Sequence, residues 1–299
     1  MDVLRTPDDR FVALPGYDFT PNYVDDLNGY EGLRVHFLDE GAHDARQTFL
    51  CLPGEPTWAY LYRRMIPVFA ASGARVVVPD WLGFGRSDKP VEDRVYTFDF
   101  HRNMMRAFID SLDLQNLTLV VQDWGGILGL TLPMDLHDRV SRLIVMNTAL
   151  PVGESLGDGF QNWKDYVANR PDMDCAALMK RACPHLSKAE AQAYEAPFPD
   201  QRYKAGVRRF PQLVMVEPGM GGVDLSQRAR RFWAEDWQGD SFMAVGARDP
   251  VLGLPIMTQL RGFIRGCPEP LVIEDAGHFV QEWGAPIATA ALKHFGDIH

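Results

Sequence analysis

Along the chain, short β-branched apolar runs alternate with longer stretches in which apolar residues recur every three or four positions. The first kind predicts strands and the second amphipathic helices. Leu33 to Leu38 alternates as a half-buried strand does, while Thr48 to Leu52 and Arg75 to Asp80 are apolar strands ending in turns. Phe98 to Leu112 has helical spacing, Leu117 to Val121 is a strand, Ile127 to Leu136 a helix, and Arg142 to Met146 another strand. Strands alternating with helices predict an α/β fold, a mostly parallel central sheet with helices on both faces. In such sheets reactive groups gather at the carboxyl ends of the strands.

The pattern changes after Pro151. Residues 151–224 contain only short helical pieces, Asp158 to Ala168, Asp174 to Ala182 and Ser187 to Tyr194, separated by prolines and glycines and without a strong strand. Strand-like sequence returns at Ser241 to Val245 and at Pro270 to Ile273. A helical insertion within an α/β sheet is expected to lie over the strand ends. The chain then divides into a core domain, residues 1–150 and 225–299, and an inserted helical cap domain, residues 151–224.

Composition narrows the partners. The 299 residues are 46% hydrophobic and 23% charged, as in ordinary globular proteins. A formal net charge of -10 argues against a nucleic-acid or anionic-membrane surface and for a small uncharged partner. No apolar run approaches membrane-spanning length, and Met1 to Arg10 lacks the basic-then-apolar order of a secretion signal. Cys51, Cys175, Cys183 and Cys267 show neither a C-x-x-C spacing nor a local histidine. They are expected to be buried thiols in a reducing cytoplasm, with no metal site.

The chemistry centres on Leu119-Val120-Val121-Gln122-Asp123-Trp124-Gly125-Gly126, where an apolar strand stops at a carboxylate and a small-residue turn opens a helix. That context lifts one side chain above the end of a sheet. A serine there suits acyl carbons. A carboxylate is ionised near neutral pH, so it can displace a leaving group from saturated carbon without first losing a proton. Asp249 in Gly246-Ala247-Arg248-Asp249-Pro250 and His278 in Asp275-Ala276-Gly277-His278-Phe279 each follow a strand, giving the chain order nucleophile, acid, histidine. Asn147 occupies the competing acid position, but an amide cannot offset an imidazolium, and Asp275 lies too near His278 in sequence. The turn Leu52-Pro53-Gly54-Glu55-Pro56-Thr57-Trp58 can aim a backbone N–H at an oxyanion, with a second from Trp124. The Trp124 indole is a donor with no acceptor capacity, suited to a departing anion, and Trp163 in the helical insertion can face it.

Taken together these residues resemble the haloalkane dehalogenases of the α/β-hydrolase superfamily, in particular the subfamily whose catalytic acid follows the strand after the cap. The likeness runs through Gly54-Glu55-Pro56-Thr57-Trp58, Gly83-Phe84-Gly85-Arg86-Ser87-Asp88, Gln122 to Gly126, Phe160 to Trp163, Asp249, and Gly277 to Glu282. It implies an α/β-hydrolase fold with Asp123 as nucleophile, His278 as base and Asp249 as its orienter. It also implies Trp124 and Trp163 as halide ligands and the backbone N–H groups of Glu55 and Trp124 as oxyanion donors. Phe160, Ile127, Pro211, Val214, Val251 and Leu252 would line an apolar pocket. The expected reaction converts short-chain haloalkanes to a primary alcohol, halide and a proton through an alkyl ester on Asp123, with no metal or organic cofactor. The expected partners are a small apolar halogenated substrate, halide and water, acting on a monomer. Two positions depart from the family: Pro53 replaces its usual histidine, and Val121 stands where many hydrolases carry glycine.

Two other classes fit parts of this pattern. An epoxide hydrolase also uses an elbow aspartate, but needs a proton donor such as Tyr166, Tyr194 or Tyr203 from the insertion. A non-catalytic hydrolase-like binding protein is expected to lack a triad member, and none is missing here. Ser87 and Ser111 do not sit at the elbow, which disfavours a serine esterase.

Overall fold

The computed structural model describes residues 1–299. Ten strands are present: β1 (Val3–Leu4), β2 (Asn22–Val24), β3 (Val35–Glu40), β4 (Thr48–Leu52), β5 (Arg75–Pro79), β6 (Lys89–Pro90), β7 (Leu117–Gln122), β8 (Val140–Met146), β9 (Asp240–Gly246) and β10 (Leu271–Ile273). Eight of them form one sheet in the order β10-β9-β8-β7-β4-β5-β3-β2, while β1 and β6 pair separately. From β10 to β5 every pairing is parallel, and β3 and β2 add an antiparallel edge. Every residue of β4 and β7 is buried, so both faces of the centre are covered, as continuous apolar strands require.

The helices of the first half are α1 (Ile66–Ala71), α2 (Phe98–Ser111) and α3 (Trp124–Gly129). Thr97 caps α2 by accepting the Phe100 N–H, and Phe98, Met104, Met105, Phe108 and Ile109 turn its apolar stripe inward. The α3 helix is shorter than the expected Ile127 to Leu136. It ends at Gly129, and residues 130–139 run on as turns. Pro133 has no N–H to give the carbonyl four residues earlier, so the helical ladder cannot extend through it.

After β8 the chain leaves the sheet through α4 (Asp158–Ala168), α5 (Cys175–Ala182), α6 (Lys188–Ala193), α7 (Ala205–Leu213) and α8 (Val223–Arg231) before returning at β9. The core closes with α9 (Leu254–Phe263) and α10 (Gly284–His294). Asp174 caps α5, and Ser187 with Glu190 forms a reciprocal capping box on α6. The expected boundary at residue 224 falls inside α8.

A buried ion-pair network ties α6 to the core. Arg63 donates to both oxygens of Glu282, at 2.6 and 2.9 Å, and to Glu190 at 3.2 Å. Arg64 bridges the same two carboxylates at 3.0 and 2.7 Å. The Tyr194 hydroxyl also donates to Glu282, whose side chain is fully shielded from solvent.

The strand order places the site. From β4 the chain first goes outward to β5 and then crosses back to β7 on the other side of β4. The crevice between the carboxyl ends of β4 and β7 is therefore a switch point, where ligands of open α/β sheets bind. The register Leu52↔Val121 brings the Pro53-Gly54-Glu55 turn beside Gln122 and Asp123.

Candidate active site

Asp123 sits between β7 and α3 with φ 49° and ψ -122°. A non-glycine residue in that region is strained and persists only where its surroundings enforce it. Here they do. The Asp123 N–H donates to the Asn147 carbonyl at 3.0 Å, and its own carbonyl accepts from Thr148 Oγ1 at 2.7 Å. The glycines around the turn leave room for nothing larger: a Cβ on Gly125 would lie 2.0 Å from the Leu52 oxygen. One on Gly54 would lie 2.6 Å from Asp123 Oδ1.

Three loops converge on this carboxylate. From the turn after β4, the Glu55 N–H donates to Asp123 Oδ1 at 2.7 Å. In the same turn the Pro53 carbonyl accepts the Trp81 indole N–H at 2.7 Å. Trp124 opens α3, so its backbone N–H has no carbonyl one turn earlier to bond. From the loop after β10, His278 Nε2 approaches Asp123 Oδ2 to 3.4 Å. Its Nδ1 lies 2.7 Å from Asp249 Oδ2, in the loop after β9.

Asp249 is saturated with donors. Oδ1 accepts the N–H groups of Val251 at 2.9 Å and Leu252 at 3.0 Å, and Oδ2 accepts Asn147 Nδ2 at 3.0 Å. The competing acid position is thus held by an amide that supports the acid instead of replacing it. Burial pushes the Asp249 carboxyl up, but the His278 charge and these hydrogen bonds outweigh it and bring it down to about 2. Burial likewise pushes His278 down, and the Asp249 and Asp123 carboxylates lift it to about 10. The Asp249 contribution to stability is therefore present above its ordinary range and fades as pH falls toward 2, while that of His278 fades as pH rises toward 10.

A cavity of about 430 Å³ opens beside the carboxylate, lined by Asp123, His278, Trp124 and Trp163. Phe160, Ile127, Pro211, Val214, Val251 and Leu252 all line it as well. Of the seven tryptophans, Trp58, Trp81, Trp233 and Trp237 donate their indole N–H to protein acceptors. Trp124, Trp163 and Trp283 do not, and of these three only Trp124 and Trp163 face the cavity. Phe210 packs against Trp124 with ring centroids 4.6 Å apart, and Tyr166 stacks on Trp163 at 5.8 Å. The cavity thus offers two free donors beside an apolar stretch of wall, a setting that favours an anion.

Sequence reasoning had no use for two side chains in this site. Glu55 contributes more than its backbone: burial, and then the Asp123 charge, push its carboxyl well above the usual range against the opposing pull of His278. Its buried Oε1 has no protein partner. Gln122 reaches His278 through a contact between residues 156 positions apart, which no local spacing reveals.

A family model for the alpha/beta hydrolase fold matches residues 47–285. A haloalkane dehalogenase of Psychrobacter cryohalolentis is 44% identical, over 99% of this chain and 99% of its own. Haloalkane dehalogenase 1 of Mycobacterium tuberculosis is 41% identical over 94% of each chain. Among solved structures, the tetrameric haloalkane dehalogenase DpaA from Paraglaciecola agarilytica NO2 superposes with a TM-score of 0.96 at 52% identity, over 98% of both chains. Likeness of this extent, in sequence and in backbone alike, means that the chain belongs to the haloalkane dehalogenases of the alpha/beta hydrolase fold.

Proposed function

We propose that the protein hydrolyses short-chain haloalkanes to a primary alcohol, halide and a proton, with Asp123 as the nucleophile. The observation that carries this reading is the pair of unclaimed indole N–H groups sharing one apolar cavity with an elbow carboxylate. Asp123 attacks the halogen-bearing carbon; a C–O bond forms as the carbon–halogen electron pair departs with the halide toward Trp124 and Trp163. His278, oriented by Asp249, takes a proton from water, and the resulting hydroxide adds to the ester carbonyl. The Glu55 N–H, already 2.7 Å from Asp123 Oδ1, and the Trp124 N–H receive the oxyanion. Collapse expels the alkoxide, which takes the imidazolium proton; the regenerated Asp123 loses the net proton to solvent.

In this reading residues 151–224 act as a cap, since Phe160, Trp163, Pro211 and Val214 close the cavity over the core. The cavity fits a small halogenated substrate and water, and we read the protein as acting as a monomer. No helix is long and apolar enough to cross a membrane, and the four cysteines are free and buried, which suits the cytoplasm.

The epoxide hydrolase alternative needs a phenol over the nucleophile. No tyrosine lines the cavity, and the Tyr194 hydroxyl is engaged by Glu282. A panel of chloro-, bromo- and iodoalkanes of increasing length, with styrene oxide alongside, tests the assignment. Bromide and acid are expected from 1,2-dibromoethane and no diol from styrene oxide. Diol without halide would establish the alternative, and neither product would leave a binding protein. Trp163→Phe removes one donor to an anion, worth about 1.5–3 kcal/mol, so bromide affinity read by tryptophan fluorescence should fall by about 10- to 100-fold. Unchanged affinity would take Trp163 out of the halide site.

A further inference from the structure

Gln122 ends β7 directly before the elbow, is fully buried, and has no part in the mechanism proposed above. Its Nε2 lies 3.1 Å from the backbone oxygen of His278 and 3.0 Å from the ring Nε2 of the same residue. A carbonyl oxygen only accepts, so the Gln122 atom facing it is the NH₂ group. The second N–H then meets the lone pair of the imidazole Nε2, and the ring proton sits on Nδ1, donated to Asp249 at 2.7 Å. Behind this amide, the fully buried Gln281 donates its Nε2 to Gln122 Oε1 at 3.5 Å. Gly54 closes the other side, where a Cβ would fall 2.7 Å from that oxygen. In the neutral ring, this arrangement fixes the tautomer of His278, and the His278 carbonyl fixes the orientation of the Gln122 amide.

We propose that Gln122, braced by Gln281, is a positioning residue that holds His278 as the free base for ester hydrolysis by hydrogen-bonding the ring nitrogen that must take the water proton. The proposal rests on His278 being that base. The need for such a group follows from the surroundings. Burial alone would keep the imidazole neutral, but Asp249 and Asp123 lift it to about 10, and an imidazolium cannot accept a proton. Forming the alkyl ester cancels the Asp123 charge. A hydrogen bond donated to the unprotonated nitrogen works in the same direction, because it stabilises the neutral form only. The other titratable groups at the cavity are Glu55 after β4, whose carboxyl burial pushes well up, Arg181 on α5, and the Arg248–Asp275 pair at the rim. None of them hydrogen-bonds the ring. When water enters, it displaces one amide N–H while the other stays on the His278 carbonyl, so the amide keeps its place.

The test separates the two half-reactions of the full-length enzyme with 1,2-dibromoethane as a function of pH. The bromide burst reports alkylation, and decay of the protein mass adduct reports ester hydrolysis. Gln122→Met keeps the side-chain length and removes the donor. Its burst rate is expected to stay within about twofold, while hydrolysis at pH 7 slows by about tenfold, the worth of one hydrogen bond. The loss should vanish as pH rises, because the midpoint of the hydrolysis profile moves up by about one pH unit. Gln122→Glu should move it further in the same direction. Gln281→Met, which loosens the brace, should move it less, and decides the matter if the Gln122 variants do not fold by circular dichroism. Equal losses at every pH with an unmoved midpoint would reduce Gln122 to packing and overturn the proposal. Absence of both burst and adduct in the unmodified enzyme would count against the alkyl-ester reading itself.

Discussion

Asp123→Asn is expected to release no bromide from 1,2-dibromoethane above background, a loss on the order of 10⁴-fold or more, as for other covalent nucleophiles. The substitution removes charge and little else. An asparagine oxygen can still accept the Glu55 N–H, now 2.7 Å from Oδ1. The elbow itself is held by backbone bonds to Asn147 and from Thr148. The variant should therefore fold and bind bromide between its indoles while failing to alkylate. Multiple turnovers from a sample shown by mass to be free of deamidation would refute the nucleophile assignment.

His278→Phe should instead release one equivalent of bromide per site and then stop. Alkylation asks nothing of the imidazole, whereas hydrolysis needs a base on the water. Intact mass should show the alkyl group retained, and peptide mapping should place it on Asp123. The phenyl ring leaves Asp249 its donors from Val251, Leu252 and Asn147, so the loop after β9 is expected to keep its shape. A folded variant that releases bromide without an adduct would sink the two-step scheme. Read together, the two substitutions divide the reaction at the ester.

Much of this arrangement was legible in the residues, for reasons that differ along the chain. The central strands stood out because β4 and β7 are buried on both faces and must be apolar throughout. The elbow stood out because a polar residue between such a strand and small-residue helix positions has no packing role. Helix α7 did not, because Pro211 within it breaks the helical signature that its buried Val207 and Phe210 otherwise make. The expected helix through Leu136 failed for the converse reason, its apolar spacing persisting past Pro133 into turns. The edge strand β2 has only three residues, none fully buried, and carries no alternation to detect. The tilt of Gln122 toward His278 depends on where the last loop docks. It therefore belongs to the tertiary structure alone.

The Glu282 network has a consequence for how the active site opens. Lifting α6 off the core would take Glu190 from Arg63 and Arg64 and the Tyr194 hydroxyl from Glu282, while both arginines, themselves part of the core, stay on Glu282. That carboxylate belongs to the same short stretch as His278, four residues upstream. If residues 151–224 act as the cap proposed above, it is pinned on the flank nearest the imidazole, and an opening that admits a guest is expected ahead of α4, where Gly153 and Gly157 both take positive φ.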